Sequence, residues 1–317
     1  MAAMSISSAG KGSAVEWNPF VISPRSRLNA PIMASQSSNP ASGFRRRLKN
    51  LVRPGKRLED RLSVLDARLQ DVLDLEIRLH QFISLLSIEH QLPPIPPKHL
   101  QVRIGGAYDP KFFYIGKGIC NDLEDNLKGH GLSLRGFQDI LDFGCGCGRL
   151  MIPMSWLLDP KKLSGTDIDP EAVRWLAQNY PCFKDVAING AAPPTKYADG
   201  AFDFIYGVSV FTHLPEDMQH AWLKELSRIL RPGGYGLFTK HGENFFSHLN
   251  ESHRRQLLEK GFFYRVGGHT EGLPEFYQSS FHTHEYIGRE WGRYFEVVSI
   301  RKQGIDKVQD AVLVRKR

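Results

Sequence analysis

One turn in this chain has glycine at alternate positions, Asp142-Phe143-Gly144-Cys145-Gly146-Cys147-Gly148-Arg149. Glycine lets a backbone adopt positive φ and come close to a ligand. An acid, Asp142, stands just ahead of it. A second acid follows in Gly165-Thr166-Asp167-Ile168-Asp169-Pro170. A carboxylate at Asp167 can accept two hydrogen bonds from ribose hydroxyls. Asp169, with Pro170 next to it, reads as a helix cap. The plainer alternative makes both aspartates caps or turn residues.

Histidines supply the second kind of chemistry, because imidazole can take a proton near neutral pH. His241 follows one β-forming run and His213 follows another. His282 and His284 lie in Phe281-His282-Thr283-His284-Glu285-Tyr286. His241, His282 and His213 are the candidate catalytic residues. A structural hydrogen bond or an exposed ring is the alternative for each. Tyr206, Phe211 and Tyr277 are candidates for an acceptor pocket or for the core. His282 and His284 also suggest a metal, but no further ligands stand at a suitable spacing, so no metal is expected.

The spacing of the glycines separates two ligand classes. A dinucleotide fingerprint reads G-x-G-x-x-G and directs a helix N-terminus at a pyrophosphate. Here the glycines are 144, 146 and 148, and Asp142 precedes them. An acid is unwelcome beside a pyrophosphate. It suits a sulfonium nucleoside with an ammonium group, directly or through water. The spacing therefore favours S-adenosyl-L-methionine over a nicotinamide cofactor.

These residues must be held by a sheet. β-forming runs occupy Asp139 to Phe143, Lys161 to Asp167, Asp185 to Ile188, Phe202 to Val210, Tyr235 to Lys240, Phe295 to Ile300 and Ala311 to Arg315. Helical stretches fill the gaps at Arg149 to Leu158, Pro170 to Asn179 and Glu216 to Leu230. This alternation predicts a doubly wound α/β domain with a mostly parallel sheet. Ligands of such sheets bind beyond the carboxyl ends of the strands, where the strand order reverses.

Residues 140 to 240 resemble the class I (Rossmann-like) SAM-dependent methyltransferases. Asp142 to Arg149 is similar to their motif I and Gly165 to Pro170 to their motif II. Phe202 to Leu214 resembles their fourth strand and following loop. Glu225 to Gly234 resembles the helix and turn before the fifth strand. The resemblance implies a seven-stranded sheet in the order 3-2-1-4-5-7-6 with the last strand antiparallel. It also implies a cofactor site made by Asp142, Gly144, Cys145, Gly146, Gly148, Asp167, Ile168, Asn189, Ala191 and Ser209. Asn189-Gly190-Ala191-Ala192 departs from the family, which often has an acid at the adenine. Amino-group methylation in the family usually shows an Asn/Asp-Pro-Pro-aromatic turn after the fourth strand. That position here reads Gly207-Val208-Ser209. The acceptor is therefore expected to be a small molecule, a hydroxyl of a sugar or other metabolite. The alternative is a non-catalytic SAM-binding subunit tethered to a partner.

The remaining chain divides by composition. Residues 1–50 read as a disordered basic leader, with Arg45, Arg46, Arg47 and Lys49 near its end. Such a leader leaves organellar import open. The basic run suits an acidic surface or is a solvated face ahead of a helix. No aromatics are interleaved for base stacking, so the net charge of +7 does not point to nucleic acid. Residues 51–92 read as a long amphipathic helix. Leu58, Leu62, Leu65, Leu69, Val72, Leu79, Ile83 and Leu86 step by three and four, with Glu76 breaking the series. That period suits a coiled-coil seam, so residues 56–90 are a candidate for homo-oligomer or partner association. Folding back onto the chain's own domain is the alternative. Residues 93–135 form a Pro-rich linker and cap segment, and 136–317 the methyltransferase-like domain. No apolar run reaches the ~18 residues of a transmembrane helix. Four cysteines are too few for a disulfide scaffold, which suggests reduced thiols and a cytoplasmic setting.

Overall fold

The computed structural model describes residues 61–75, 93–106, 108–267 and 272–317. The chain forms two compact units, Met1–Gln91 and Leu92–Arg317. In the first, residues 61–75 are helical. Leu62, Leu65, Leu69 and Val72 of the expected seam are exposed there. The leader and the rest of the 51–92 segment lie outside the described residues. No helix among the described residues is long and apolar enough to cross a membrane.

The second unit begins with α1 (Lys98–Gly105) and α2 (Phe112–Lys128). The sequence suggested only a short helix from Asn121, because Gly116 and Gly118 obscure the pattern. The longer helix buries Phe112, Gly116, Ile119, Cys120, Leu123 and Leu127 along one face. Next come β1 (Ile140–Phe143), α3 (Met151–Ser155), β2 (Leu163–Asp167), α4 (Pro170–Asn179), β3 (Asp185–Ile188), β4 (Phe202–Gly207), α5 (Glu216–Ile229) and β5 (Leu230–His241). The chain closes with α6 (Glu251–Lys260), β6 (Phe262–Arg265), β7 (Ser279–His282), α7 (His284–Glu290), β8 (Glu296–Ile305) and β9 (Gln309–Arg315).

β1 pairs in parallel with β2 and β4, β2 with β3, and β4 with β5. β9 runs antiparallel between β5 and β8. The path β3-β2-β1-β4-β5-β9-β8 is the expected 3-2-1-4-5-7-6 arrangement, with β8 and β9 as its sixth and seventh strands. The β6–β7 hairpin was not foreseen. It joins the tip of β5 through the pair His241 and Phe281. β4 ends at Gly207, opposite Phe238, so the last residues of β5 have a free side that β7 takes.

Alternate residues of the strands feed two cores, as the pleat requires. Ile140, Leu163, Phe204, Tyr206 and Leu237 pack with Ile119, Leu123 and Met154. Leu141, Phe143, Ile205, Phe238, Val312 and Val314 pack with Trp222, Leu226, Ile287 and Trp291. Burial on both faces explains why β1 and β4 read as mostly apolar runs. It also makes Asp142, 2% exposed in the middle of β1, an exception that needs a reason.

Candidate active site

The register sets the ends of β1, β2 and β4 side by side. Phe143 is paired with Thr166, and Asp142 with Tyr206. The strand order reverses at β1, and a cleft opens there. It holds about 960 Å³ of free space, part of it open to solvent.

The glycine turn makes the floor. Gly144, Gly146 and Gly148 all have positive φ. A Cβ on Gly146 would lie 2.4 Å from Ile104 Cδ1, so the α1 side chain sits directly over the turn. A Cβ on Gly148 would lie 2.6 Å from Leu176 Cδ1 and 2.9 Å from Ile152 Cδ1. Gly148 thus serves helix packing beneath the turn, and it does not line the cleft.

Asp167, at the end of β2, anchors the turn. Its Oδ2 accepts from Gly146 N and its Oδ1 from Asp169 N, both at 2.8 Å. Each oxygen keeps a further lone pair for a ribose hydroxyl. Burial raises the Asp167 pKa, and the two backbone N–H groups oppose that rise. Asp169 caps α4 through Glu171 N and Ala172 N, as its sequence position foretold. Its other oxygen bonds Arg103 Nη1 at 3.0 Å, which fastens α1 across the cofactor loop.

Asp142 and Arg149 have the least satisfied charges. Burial pushes the Asp142 carboxyl up to about 8 against the opposing pull of the neighbouring Tyr206 hydroxyl and Arg149, and its Oδ2 has no partner at full hydrogen-bond geometry. Arg149 is largely enclosed, its Nε has no partner, and burial lowers its pKa. A carboxyl with an unpaired oxygen and a guanidinium with an unpaired Nε in one cleft complement a zwitterion. They fit the ammonium and carboxylate of an amino-acid tail.

Ser209, after β4, adopts φ 62°, an uncommon conformation for a residue with a side chain. Three hydrogen bonds hold it there. Ser209 N donates to Thr239 Oγ1 at 2.7 Å, the Tyr277 hydroxyl donates to Ser209 O at 3.2 Å, and Gln309 Nε2 donates to Ser209 Oγ at 2.8 Å. Strain kept by its surroundings is a mark of functional sites.

Residues 140–234 match the model of a family described as methyltransferase domain. The chain carries a class I, Rossmann-like methyltransferase domain. S-adenosyl-L-methionine is its cofactor. Over 138 residues, 42% of this chain and 36% of its own, the sterol 24-C-methyltransferase erg6 of Aspergillus fumigatus is 27% identical. The tRNA N(3)-methylcytidine methyltransferase trm140 of Schizosaccharomyces pombe is 27% identical over 215 residues, 64% of each chain. The chain thus spans 36% and 64% of the lengths of these two relatives. A solved SAM-dependent methyltransferase from Methanosarcina mazei aligns over 56% of this chain and 93% of its own, with 21% identity and a TM-score of 0.42.

In the methyltransferase domain the cleft collects nine of the ten residues expected at the cofactor: Asp142, Gly144, Cys145, Gly146, Asp167, Ile168, Asn189, Ala191 and Ser209. Asn189 Oδ1 accepts from the Thr166 hydroxyl and its Nδ2 donates to Gly190 O. Its side chain therefore shapes this end of the cleft. Trp222 Nε1 donates to Ala191 O at 3.2 Å and closes that end from α5. Arg103, Ile104, Arg149, Trp222, Leu273 and Phe276 also line the cleft, and the sequence had not marked them. Only Arg149 carried a usable signal, because it directly follows the turn.

The three histidines fall in different surroundings. His213 stacks on Tyr277, which lines the cleft, with ring centroids 4.2 Å apart. Its Nδ1 donates to the Gln278 carbonyl. His241 sits next to it, centroids 6.2 Å apart, with Nδ1 donating to Ser280 O at 2.9 Å. His282 is fully buried and its Nε2 lies 2.8 Å from Gln219 Oε1; none of the three rings lines the cleft itself, and His213 comes nearest through Tyr277. Burial lowers the pKa of all three, for His241 to about 4. Lys240, also fully buried, fixes this region. Its ammonium reaches Asp310 Oδ2 at 2.9 Å and the carbonyls of His241 and His282 at 3.3 and 3.2 Å. The ends of β5, β7 and β9 are thereby tied together.

Asp142 leads to a measurable result. A carboxyl with a pKa near 8 is mostly protonated at pH 7, whereas a bound cation selects the carboxylate. S-adenosylmethionine binding at pH 7 is expected to release close to one proton. Titration calorimetry in buffers of different protonation enthalpy counts it. Asp142→Asn should abolish the release. A wild-type count of zero would mean that the carboxyl is already ionised in the free protein.

Proposed function

We propose that this chain transfers a methyl group from S-adenosyl-L-methionine to a hydroxyl of a small acceptor, a sugar or other metabolite. The observation that carries this reading is His213. Its Nδ1 proton is committed to a carbonyl, its ring is neutral, and it stacks on a residue of the cleft. Its Nε2 is therefore the basic atom and can accept the proton of an acceptor hydroxyl. Bound S-adenosylmethionine supplies a methyl group on a sulfonium, which leaves as a neutral thioether.

The protein's share is alignment and exclusion of water. Asp167 would hold the ribose, Asn189 and Ala191 the adenine end, and Asp142 and Arg149 the amino-acid tail. Ser209 and Tyr277 form the wall towards the acceptor. Ile104, pinned over the turn by the Arg103–Asp169 bond, keeps solvent away.

Incubating the purified chain with S-adenosylmethionine and hydroxylated acceptors, then weighing the products, tests the reading. Methyl pyranosides and catechol form the expected arm. A sterol and tRNA, the acceptors in the names of the two relatives, form the comparison arm. Methylation of a small hydroxyl compound supports the proposal, and methylation of tRNA alone overturns it. Cofactor binding with no turnover on any acceptor would favour a non-catalytic SAM-binding subunit.

We also propose the division into leader, association helix (51–92), cap segment (93–135) and catalytic domain (136–317). The exposed Leu62, Leu65, Leu69 and Val72 support association through residues 56–90. Light scattering should show an oligomer that Leu65→Asp with Leu69→Asp reduces to a monomer. A monomeric wild-type chain would count against it.

A further inference from the structure

His213 and His241 hang from one strand edge. Gln278, just before β7, and Ser280, within it, are two residues apart on an extended chain, so their carbonyls point the same way. His213 Nδ1 donates to the first carbonyl and His241 Nδ1 to the second. A carbonyl only accepts, so Nδ1 carries the proton in both rings. Each Nε2 is then a lone pair turned away from β7. Among the described residues, neither Nε2 has a protein partner, and neither is sealed from solvent. Tyr277 stacks on His213 at 4.2 Å, and Phe245 lies 4.4 Å from His241 between ring centroids. Burial keeps both imidazoles uncharged at neutral pH.

The two rings lie 6.2 Å apart between centroids, and their two lone pairs, without positive charge, repel an anion and take two hydrogen-bond donors. The aromatic faces on either side suit the flat face of a ring. We infer that the acceptor is a ring compound with two neighbouring hydroxyls, one bound by Nε2 of His213 and the other by Nε2 of His241. This rests on the proposed transfer to a hydroxyl and narrows it. His213 takes the proton of the hydroxyl to be methylated. His241 holds the neighbouring hydroxyl and so sets which of the two is presented. A pyranoside and a catechol share this chemistry.

The test is ¹⁵N NMR of histidine-labelled full-length chain loaded with S-adenosylhomocysteine. Spectra of His213→Gln and His241→Leu assign the two Nε2 signals. The probes are methyl α-mannopyranoside, catechol, its monomethyl ether guaiacol and inorganic phosphate. At least one diol is expected to move both Nε2 signals, guaiacol only one, and phosphate neither. Whether the pyranoside or catechol acts identifies the ring. His241→Leu should weaken binding of the effective diol at least tenfold and leave guaiacol within threefold. The inference is overturned if S-adenosylhomocysteine binds but no diol moves either signal. A shift with phosphate, or equal weakening of diol and guaiacol in His241→Leu, overturns it too. Failure of S-adenosylhomocysteine to bind would overturn the cofactor assignment beneath it.

Discussion

His213→Asn is expected to lower kcat by about 10²- to 10⁴-fold, the usual worth of a positioned general base. The affinity for S-adenosylmethionine should stay within twofold of wild type, because the His213 ring lies against Tyr277 and does not line the cleft. The pH profile gives a second readout. Burial lowers the His213 pKa, and only the neutral ring accepts a proton. Activity should therefore fall on the acid side, below the ordinary histidine value, and hold steady through neutral pH. The variant's residual activity should lack that limb. An unaltered kcat would remove His213 from proton transfer and leave the Nδ1 bond to Gln278 as its role.

Asp167→Ala is expected to weaken S-adenosylmethionine binding at least tenfold. Charged hydrogen bonds contribute about 1.5–3 kcal/mol each. The two ribose bonds proposed for Asp167 and its anchors to Gly146 N and Asp169 N all depend on this side chain. Binding of 5′-methylthioadenosine, which has the same ribose but no amino-acid tail, should fall in parallel. Asp142→Asn should spare that truncated ligand and weaken only the full cofactor. If Asp167→Ala lowered the melting temperature but left both affinities unchanged, the carboxylate would be a cap and turn residue only.

Much of the sheet was legible because β1, β4 and β5 are buried on both faces and so appear as apolar runs between helical periods. The glycine floor of the cleft was legible for a related reason. Turns that touch a ligand need glycine, and an acid beside them needs a cation. Gly148 shows the limit of that logic, since its positive φ and missing side chain admit Leu176 and Ile152. The β6–β7 hairpin is not legible in the sequence, because its four-residue strands are too short to establish a period. Its consequence was larger than its size. It brings Tyr277 to the cleft and sets two carbonyls under His213 and His241. Arg103 and Ile104 were hidden in another way. They reach the turn from a helix far upstream, and nothing local to them marks the contact. Ser209 has no signature in its residue type, because its backbone is held by Thr239 and Tyr277 and its hydroxyl by Gln309, from three separate parts of the chain.

The cleft at Gly144 and Asp167 is claimed for a sulfonium nucleoside, and parallel calorimetric titrations with S-adenosylmethionine and NAD put that most directly to the test. One equivalent of S-adenosylmethionine should bind to the wild-type chain and bind more weakly to Asp167→Ala, while NAD gives no heat. Saturable NAD binding with none by S-adenosylmethionine would contradict the account.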